Sequence, residues 1–432
     1  MMAADSMELS PDGFTGAILG VEGIRDAAVL LNGPTGCKFY HGALSDGRFP
    51  RDSSMDPLQF SDEFYFGQPR VPATYLDDHD YVFGATAKLE KILPRVAEKG
   101  HRLIAVVNSP GAALIGDDLE RFIAAAGLPV PCIAVESTGF SSGFAKGFQA
   151  SVIQALQRLA PREPVPAQPR QVNLVGLSIF HRHWEGDVHE LRRLLSLCGI
   201  GVKTVLSAGC TTAELASAGA AALNVTVHPE FAGDLFDYLG GSLGRPVLAP
   251  GAGAPIGFEE TERWITGVCR SLDADPAPAL ADIRRARRRA YDALSRFNAL
   301  TGLPKGAAAA VRADGGMLLP LVAWLYRYLG MVPAEVWMGE HTRAQADALE
   351  KFLAEIGCAD AWRSRKDDRQ IDIAFGGEDF ISRFRARGLP VAGVDIALPA
   401  RGDIEILHRC QVGASGALWL LESILNGLMA AA

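Results

Sequence analysis

Apolar, β-branched runs recur along the chain, each followed by a glycine-containing turn and then by a helical pattern. Residues 27–31 (AAVLL) run into Asn32-Gly-Pro-Thr-Gly36. Residues 102–107 (RLIAVV) run into Asn108-Ser-Pro-Gly111, then into a helix from about residue 116 with Asp117 and Asp118 in its first turn. Residues 131–135 (PCIAV) run into a polar turn at 137–143 and a helix to about residue 159. Strands alternating with helices predict parallel sheets built from βαβ units. Near-continuous apolar strands, rather than alternating ones, predict sheets covered on both faces.

Four prolines within residues 161–171 (PREPVPAQPRQ) mark a linker. Beyond it the pattern predicts strands at 171–179, 202–206 and 224–228, a helix at 186–198, and a Gly/Pro loop at 246–255. A Pro/Ala hinge at 276 opens a helix to 298 that carries Arg284, Arg285, Arg287, Arg288 and Arg289. A third block has strands at 306–312, 335–338 and 371–375, helices at 317–329 and 342–356, and an apolar helix at 414–430. The expected fold is therefore α/β: three doubly wound parallel-sheet (αβα) domains over residues 1–165, 166–300 and 301–432. Such sheets take ligands beyond the carboxyl ends of their strands. The turns at 33–36, 108–111, 137–143, 207–209, 251–253 and 376–377 are the places to look.

Composition narrows the classes. A 432-residue chain with 48% hydrophobic and 21% charged residues excludes disorder as its main state. A net charge of −8 argues against a general nucleic-acid binder. No run of about 18 uncharged apolar residues occurs, so no membrane span is expected; the most apolar stretch, 315–331, is cut by Arg327. The opening MMAADSMELSPDGF lacks the basic and apolar regions of a signal peptide. Seven cysteines without a CxxC pair predict reduced thiols and a cytoplasmic location.

Cys37 is the most informative residue. It follows a strand, in the turn Gly33-Pro-Thr-Gly-Cys37, where backbone N–H groups and a helix start are expected to lower its pKa and favour thiolate, a nucleophile or metal ligand. The alternative is a small buried hydrophobe. Gly33…Gly36-Cys-Lys38 lacks the Walker spacing, and Gly176…Gly186 is not a dinucleotide fingerprint. Cys132 and Cys198 read as core, Cys210 and Cys410 as turn residues less clearly buried, and Cys269 and Cys358 are isolated. No four have zinc or iron–sulfur spacing, so the cysteines give no argument that this chain encloses a cluster alone. His181 and His183 read as a surface loop pair with metal-like spacing, and His228 as a structural residue in a cleft position. His408-Arg409-Cys410 could face a partner or cluster. Asp77, Asp78 and Asp80 read as a solvated loop or helix cap, and the arginine-rich helix as a solvated face with acidic neighbours.

Four segments then fall in a known order: Asn32-Gly-Pro-Thr-Gly-Cys37-Lys-Phe-Tyr-His41, Asp80-Tyr-Val-Phe-Gly84, Ile115-Gly-Asp-Asp118-Leu and Thr138-Gly-Phe-Ser-Ser-Gly143. The chain resembles the large subunits of nitrogenase component 1 and their relatives: cofactor-assembly scaffolds, dark-operative protochlorophyllide and chlorophyllide reductases, and methylthio-alkane reductases. Its ending, from Leu389-Pro390 through Ile406-Leu-His408-Arg-Cys-Gln-Val-Gly413-Ala-Ser-Gly416, is similar to the K-type (β) rather than the D-type subunit.

The resemblance implies a D–K heterodimer doubled into an α2β2 heterotetramer. It also implies a separate ATP-dependent iron protein, a homodimer with its own 4Fe–4S cluster, as electron donor. An iron–sulfur relay cluster would be held by cysteines of both subunits, with Cys37 at one K-side ligand position. Gly33 and Gly36 would let the backbone approach it closely. The family's other K-side positions fall near 71–74 (Val-Pro-Ala-Thr) and at about Pro110, and neither is cysteine. That implies a 4Fe–4S cluster with three partner thiolates, or an 8Fe–7S, P-cluster-type group with replacement ligands. The active-site metallocluster would lie in the D-type partner, leaving no catalytic nucleophile or base here. The activity expected is reductive C–S cleavage of methylthio-alkanes. The alternatives are a chlorophyllide reductase-type subunit, a non-enzymatic cofactor-assembly scaffold, and an unrelated α/β binding protein with Cys37 in its core.

Overall fold

The computed structural model describes residues 11–50, 71–136, 142–161, 165–364, 370–398 and 405–431. The opening segment 1–10, most of the 137–143 turn, residues 162–164 of the linker and residues 399–404 of the ending lie outside them. The chain divides into two compact units, one of residues 1–161 with 209–216, the other of residues 162–208 with 217–432.

In the first unit β1 (Ala27–Asn32), β2 (Leu103–Asn108) and β3 (Cys132–Val135) pair in parallel in that order, and every residue of all three is buried. These are the runs of Ala, Val, Leu and Ile whose lack of alternation predicts a doubly covered sheet. Residues 72–74 bridge the other edge of β1: Leu31 pairs with Ala73, Leu31 N–H donates to Pro72 O, and Thr74 N–H to Leu31 O. Chain order therefore reverses at β1, which makes its carboxyl end a topological switch point.

The helices Gly13–Glu22 and Phe144–Leu159 lie backbone against backbone. A Cβ on Gly16 would stand 2.1 Å from the Phe144 carbonyl oxygen, one on Gly147 1.8 Å from that of Gly13, and one on Gly20 2.2 Å from Ser151 Oγ. Asp12 caps the first helix, its carboxylate accepting from the Thr15 N–H at 2.9 Å.

The second unit holds two further parallel sheets. β4 (Gln168–Val175), β5 (Gly201–Val205), β6 (Ala221–Thr226) and β7 (Val247–Leu248) lie in the order β5-β4-β6-β7. β8 (Ala308–Ala313), β9 (Val332–Met338), β10 (Ile373–Gly376) and β11 (Ala392–Asp395) lie in the order β11-β10-β8-β9. The Gly/Pro stretch 246–255, expected to be loop, contains the short edge strand β7. The helix Gly413–Ala431 is long and apolar enough to cross a membrane by length and composition alone. Its Leu420, Leu421, Ile424 and Leu428 are nonetheless buried among the helices Trp184–Leu197, Gly257–Ser271 and Ala277–Thr301 and beside β11.

Several local readings are met. Asp77 forms a capping box with Asp80 at the start of the helix Asp78–Phe83. On the arginine-rich helix Arg285 pairs with Asp282 at 2.7 Å and Arg287 with Glu262 at 3.3 Å. The surface reading of His181 and His183 is corrected, since both are buried. β4 ends at Val175, so the spacing of a strand no longer applies, and the chain turns inward through Gly176 (φ +88) and His183 (φ +61). His181 stacks on His228, and His183 Nδ1 lies 2.7 Å from Glu405 Oε2. Cys210 and Cys410 are buried as well.

Gly147→Ala is expected to cost about 1–3 kcal/mol, because its methyl group has backbone to displace. Gly36→Ala, whose Cβ meets nothing within 4 Å, should not lower stability. Urea unfolding of the two variants at unchanged slope checks the contrast.

Candidate functional site

β1 and β2 both end in asparagine, and their register sets Asn32 opposite Asn108. Asn32 Nδ2 donates to Asn108 Oδ1 at 2.8 Å, and Thr74 Oγ1 donates to Asn32 Oδ1 at 2.8 Å. The Gly33 N–H in turn donates to Thr74 Oγ1 at 3.1 Å. Leu76 N–H to Gly33 O and Ser109 N–H to Asn32 O complete the set. Buried polar groups need partners; here they find them in one another, and the segments 31–37, 72–76 and 108–112 are held at one rim. A Cβ on Gly33 would lie 2.8 Å from Ser109 Oγ and from Leu31 Cδ2, so glycine is what lets the third segment close on the first.

Cys37 stands on this rim in the first turn of the helix Thr35–Arg48, half-buried, after a Pro34 N-cap without a side-chain cap bond. The expectation of a lowered thiol pKa is corrected. Burial first, and the Asp12 carboxylate second, push the thiol up, and a backbone hydrogen bond offsets only part of this. One turn on, His41 is 7% exposed, edge-on to Phe14 at 4.6 Å, and pushed down to about 4 by burial. The Tyr81 phenol is pushed up by burial first and by the neighbouring Cys37 second, with Ser109 opposing the shift. Lys38 Nζ sits 4.6 Å over the Phe39 ring and 5.3 Å over that of Tyr75.

The surface beside the thiol is apolar. Phe39 and Tyr40 on the Cys37 helix, Val82 and Phe83 at the end of the helix Asp78–Phe83, and Leu114 beyond the β2 turn are each 64–80% exposed. Single exposed apolar residues are ordinary, whereas several on converging segments mark a surface that something covers.

The donor set decides what this rim can hold. No group of three or more His, Cys, Asp or Glu among the described residues is arranged to bind a metal ion. Among the described residues, Cys37 can therefore be one ligand of a metal group whose other ligands these residues do not supply. The loops at 71–74 and 108–111 present hydroxyls already in use. Thr74 accepts from one partner and donates to another, and Ser109 Oγ accepts from the Ala112 N–H at 3.2 Å. A bound metal would reverse the thiol's upward shift, because cation charge displaces the proton outright. The residues fit a cluster that asks one thiolate of this subunit. They do not fit one that asks three. The Thr74, Ser109 and Tyr81 contacts had one legible trace in the sequence, the repeated strand-ending asparagine; which hydroxyls met it was not readable.

A groove of about 570 Å³ in this unit lies over β3 between the helices Leu119–Ala126 and Phe144–Leu159. It runs along the far edge of the sheet from β1, with Glu120, Cys132 and Arg158 among its lining residues.

The sequence profile described as nitrogenase component 1 type oxidoreductase matches residues 13–429. The chain belongs to this family. Among its relatives are light-independent protochlorophyllide reductase B subunits. It is 26% identical over 372 residues to that of Methylobacterium sp. (strain 4-46), covering 83% of this chain and 71% of that one. It is 28% identical over 388 residues to that of Pelodictyon phaeoclathratiforme (strain DSM 5477 / BU-1), covering 85% and 70%. The solved structure described as nitrogenase Cp1 at pH 6.5 superposes with a TM-score of 0.77 over 99% of this chain and 95% of that one, at 18% identity, a likeness of fold.

Asp12→Asn keeps an N-cap but removes the charge beside Cys37. Alkylation of Cys37 by iodoacetamide, followed site by site by mass spectrometry because the other six thiols are buried, should shift to lower pH in this variant. An unchanged pH profile would show that Asp12 does not act on the thiol.

Proposed function

We propose that this chain is the β-type (K-type) subunit of a nitrogenase-like reductase complex. In this reading Cys37 gives its one sulfur ligand to an iron–sulfur cluster shared with a D-type (α) subunit, in an α2β2 assembly in the cytoplasm. The observation that carries the reading is the half-buried thiol on a hydrogen-bonded rim, bordered by exposed Phe39, Tyr40, Val82, Phe83 and Leu114. Such a surface calls for a partner, and a lone thiol there calls for ligands from that partner.

When bound, the cluster supplies one-electron relay between an ATP-dependent iron protein and an active-site metallocluster in the D-type subunit. The chain's own part is positioning. Cys37 anchors, Gly36 leaves the backbone open, Gly33 keeps the 108–112 segment closed, and the Thr74–Asn32–Asn108 bonds hold the anchor's base still. A four-iron cluster with three partner thiolates suits this donor set better than an eight-iron one. Burial and neighbouring dipoles would set its potential.

Two readings of the electron acceptor follow from the family. Reductive cleavage of methylthio-alkane C–S bonds rests on the sequence resemblance. The similarity to light-independent protochlorophyllide reductase B subunits favours a tetrapyrrole reductase of the chlorophyllide-reductase type. A cofactor-assembly scaffold would share the rim but pass its cluster on instead of retaining it through turnover.

The test is made on the complex, purified without oxygen with its partner subunit. Cys37→Ala should lower bound iron and the visible thiolate-to-iron absorption, with circular dichroism and urea midpoint unchanged. Unaltered iron content and cluster EPR would remove Cys37 as a ligand.

A further inference from the structure

A second set of buried polar groups lies in the other unit and has no part in the reading above. The order of the second sheet reverses at β4, between β5 and β6, and that of the third at β8, between β9 and β10. Beyond β6 the chain passes through His228-Pro229-Glu230. Beyond β8 it enters the helix Gly315–Leu329 through Asp314. The two meet: Glu230 Oε1 accepts from the Gly316 N–H at 3.0 Å, and Oε2 from Gln345 Nε2 at 2.9 Å.

Gly316 leaves the space that the carboxyl fills. A Cβ there would lie 2.7 and 2.9 Å from the two Glu230 oxygens and 3.1 Å from His228 Nδ1. His228 is 2% exposed, and neither ring nitrogen has a hydrogen-bond partner among the described residues. Its Nδ1 points at the same place, 3.9 Å from Glu230 Oε1. The His181 ring stacks on it at 4.2 Å, held by the Ser178 N–H donating to His181 Nδ1 at 3.0 Å. An N–H at a helix start, a side-chain amide and an unpartnered imidazole together surround a carboxyl-sized seat at a sheet's switch point.

We propose that this is a seat for a neutral carboxyl group, filled from within. The Glu230 carboxyl occupies it and latches the helix Gly315–Leu329 to the end of β6, and a free small carboxylic acid takes the same seat once that side chain is removed. The latch is proton-sensitive. Burial, and then Asp314, push Glu230 up to about 8. Burial pushes His228 down to about 3 and Asp314 up to about 6, the latter also facing Glu340, Arg312 and His341. His181 is the remaining titratable group in contact with the pair.

The sign follows from linkage. Folded Glu230 keeps a proton that the unfolded chain releases near its ordinary value of 4.5. Its contribution is therefore full below that value and is lost as pH rises to about 8. Asp314 acts the same way only up to about 6, and the distant buried Asp187 up to about 7. His228 acts in the opposite sense, below its ordinary 6.5. The interval from about 7 to 8 thus reports mainly Glu230.

The experiment follows the thermal midpoint of the full chain. Glu230→Gln should flatten the fall in midpoint between pH 7 and 8; an unchanged slope overturns the proton control. At pH 5, where part of the acetate is present as the acid, Glu230→Ala should lower the midpoint and sodium acetate should restore at least half of the loss; at pH 8 acetate should restore none. Sodium chloride at equal ionic strength should restore none, and the unaltered chain should not respond to acetate. An equal acetate response in both chains, or none in the variant at pH 5, overturns the seat. Should Glu230→Ala fail to fold alone, the same comparison is read from its soluble yield on refolding in acetate against chloride. Neither result depends on Cys37 or on any cluster, so failure here leaves the β-type reading untouched.

Discussion

Through the single hydroxyl of Thr74 the rim of the first sheet is tied together. It takes the Gly33 N–H and gives its own proton to Asn32, which in turn reaches Asn108. Each bond exchanges a water partner for a protein one and contributes on the order of 1 kcal/mol, but leaving any of these buried groups unmatched would cost about 1–3 kcal/mol. The segments that carry Cys37, Thr74 and Ser109 are therefore held together less by attraction than by the penalty for separating. That penalty gives a lone, half-buried thiol a fixed place on an otherwise apolar surface.

How far the sequence could be read depended on range. β1, β2 and β3 were legible because their apolar runs are uninterrupted. β11, with Gly393 and Asp395 in four residues, was not, and neither was the helix Gly13–Glu22. Its glycines at 13, 16 and 20 look like turn residues until the facing Gly147 shows that they exist to let two backbones touch. Cys37 could be found from its position after β1. Its protonation could not, because a helix start predicts a lowered pKa, and the competing burial and the Asp12 charge come from another helix. The hydroxyl contacts were hidden for the same reason: Gly33 and Thr74 are 41 residues apart in the chain.

The second unit uses acids as Glu230 is used, as caps lent by one element to the start of another. Asp187 Oδ1, on the helix Trp184–Leu197, accepts from the Gln411 N–H at 2.6 Å and the Val412 N–H at 3.2 Å. Glu190, one turn on, accepts from the Ser415 N–H and hydroxyl in the first turn of the final helix. Helices that start inside a doubly wound sheet have no water to satisfy their first N–H groups. A carboxyl brought from elsewhere does so, and burial pushes Asp187 up to about 7 in the process. These acids hold elements together, and the raised Asp187 and Glu230 carboxyls follow first from burial.

The double duty of Thr74 also restricts how this subunit can change over evolution. A cysteine at that position would bring a second sulfur to the rim, yet a thiol is a weak acceptor for the Gly33 amide and a weak donor to Asn32. Such a replacement would unstitch the seam that steadies Cys37. A second thiol at this rim is thus not reachable by one replacement at Thr74. It requires a new acceptor for the glycine amide to arise first.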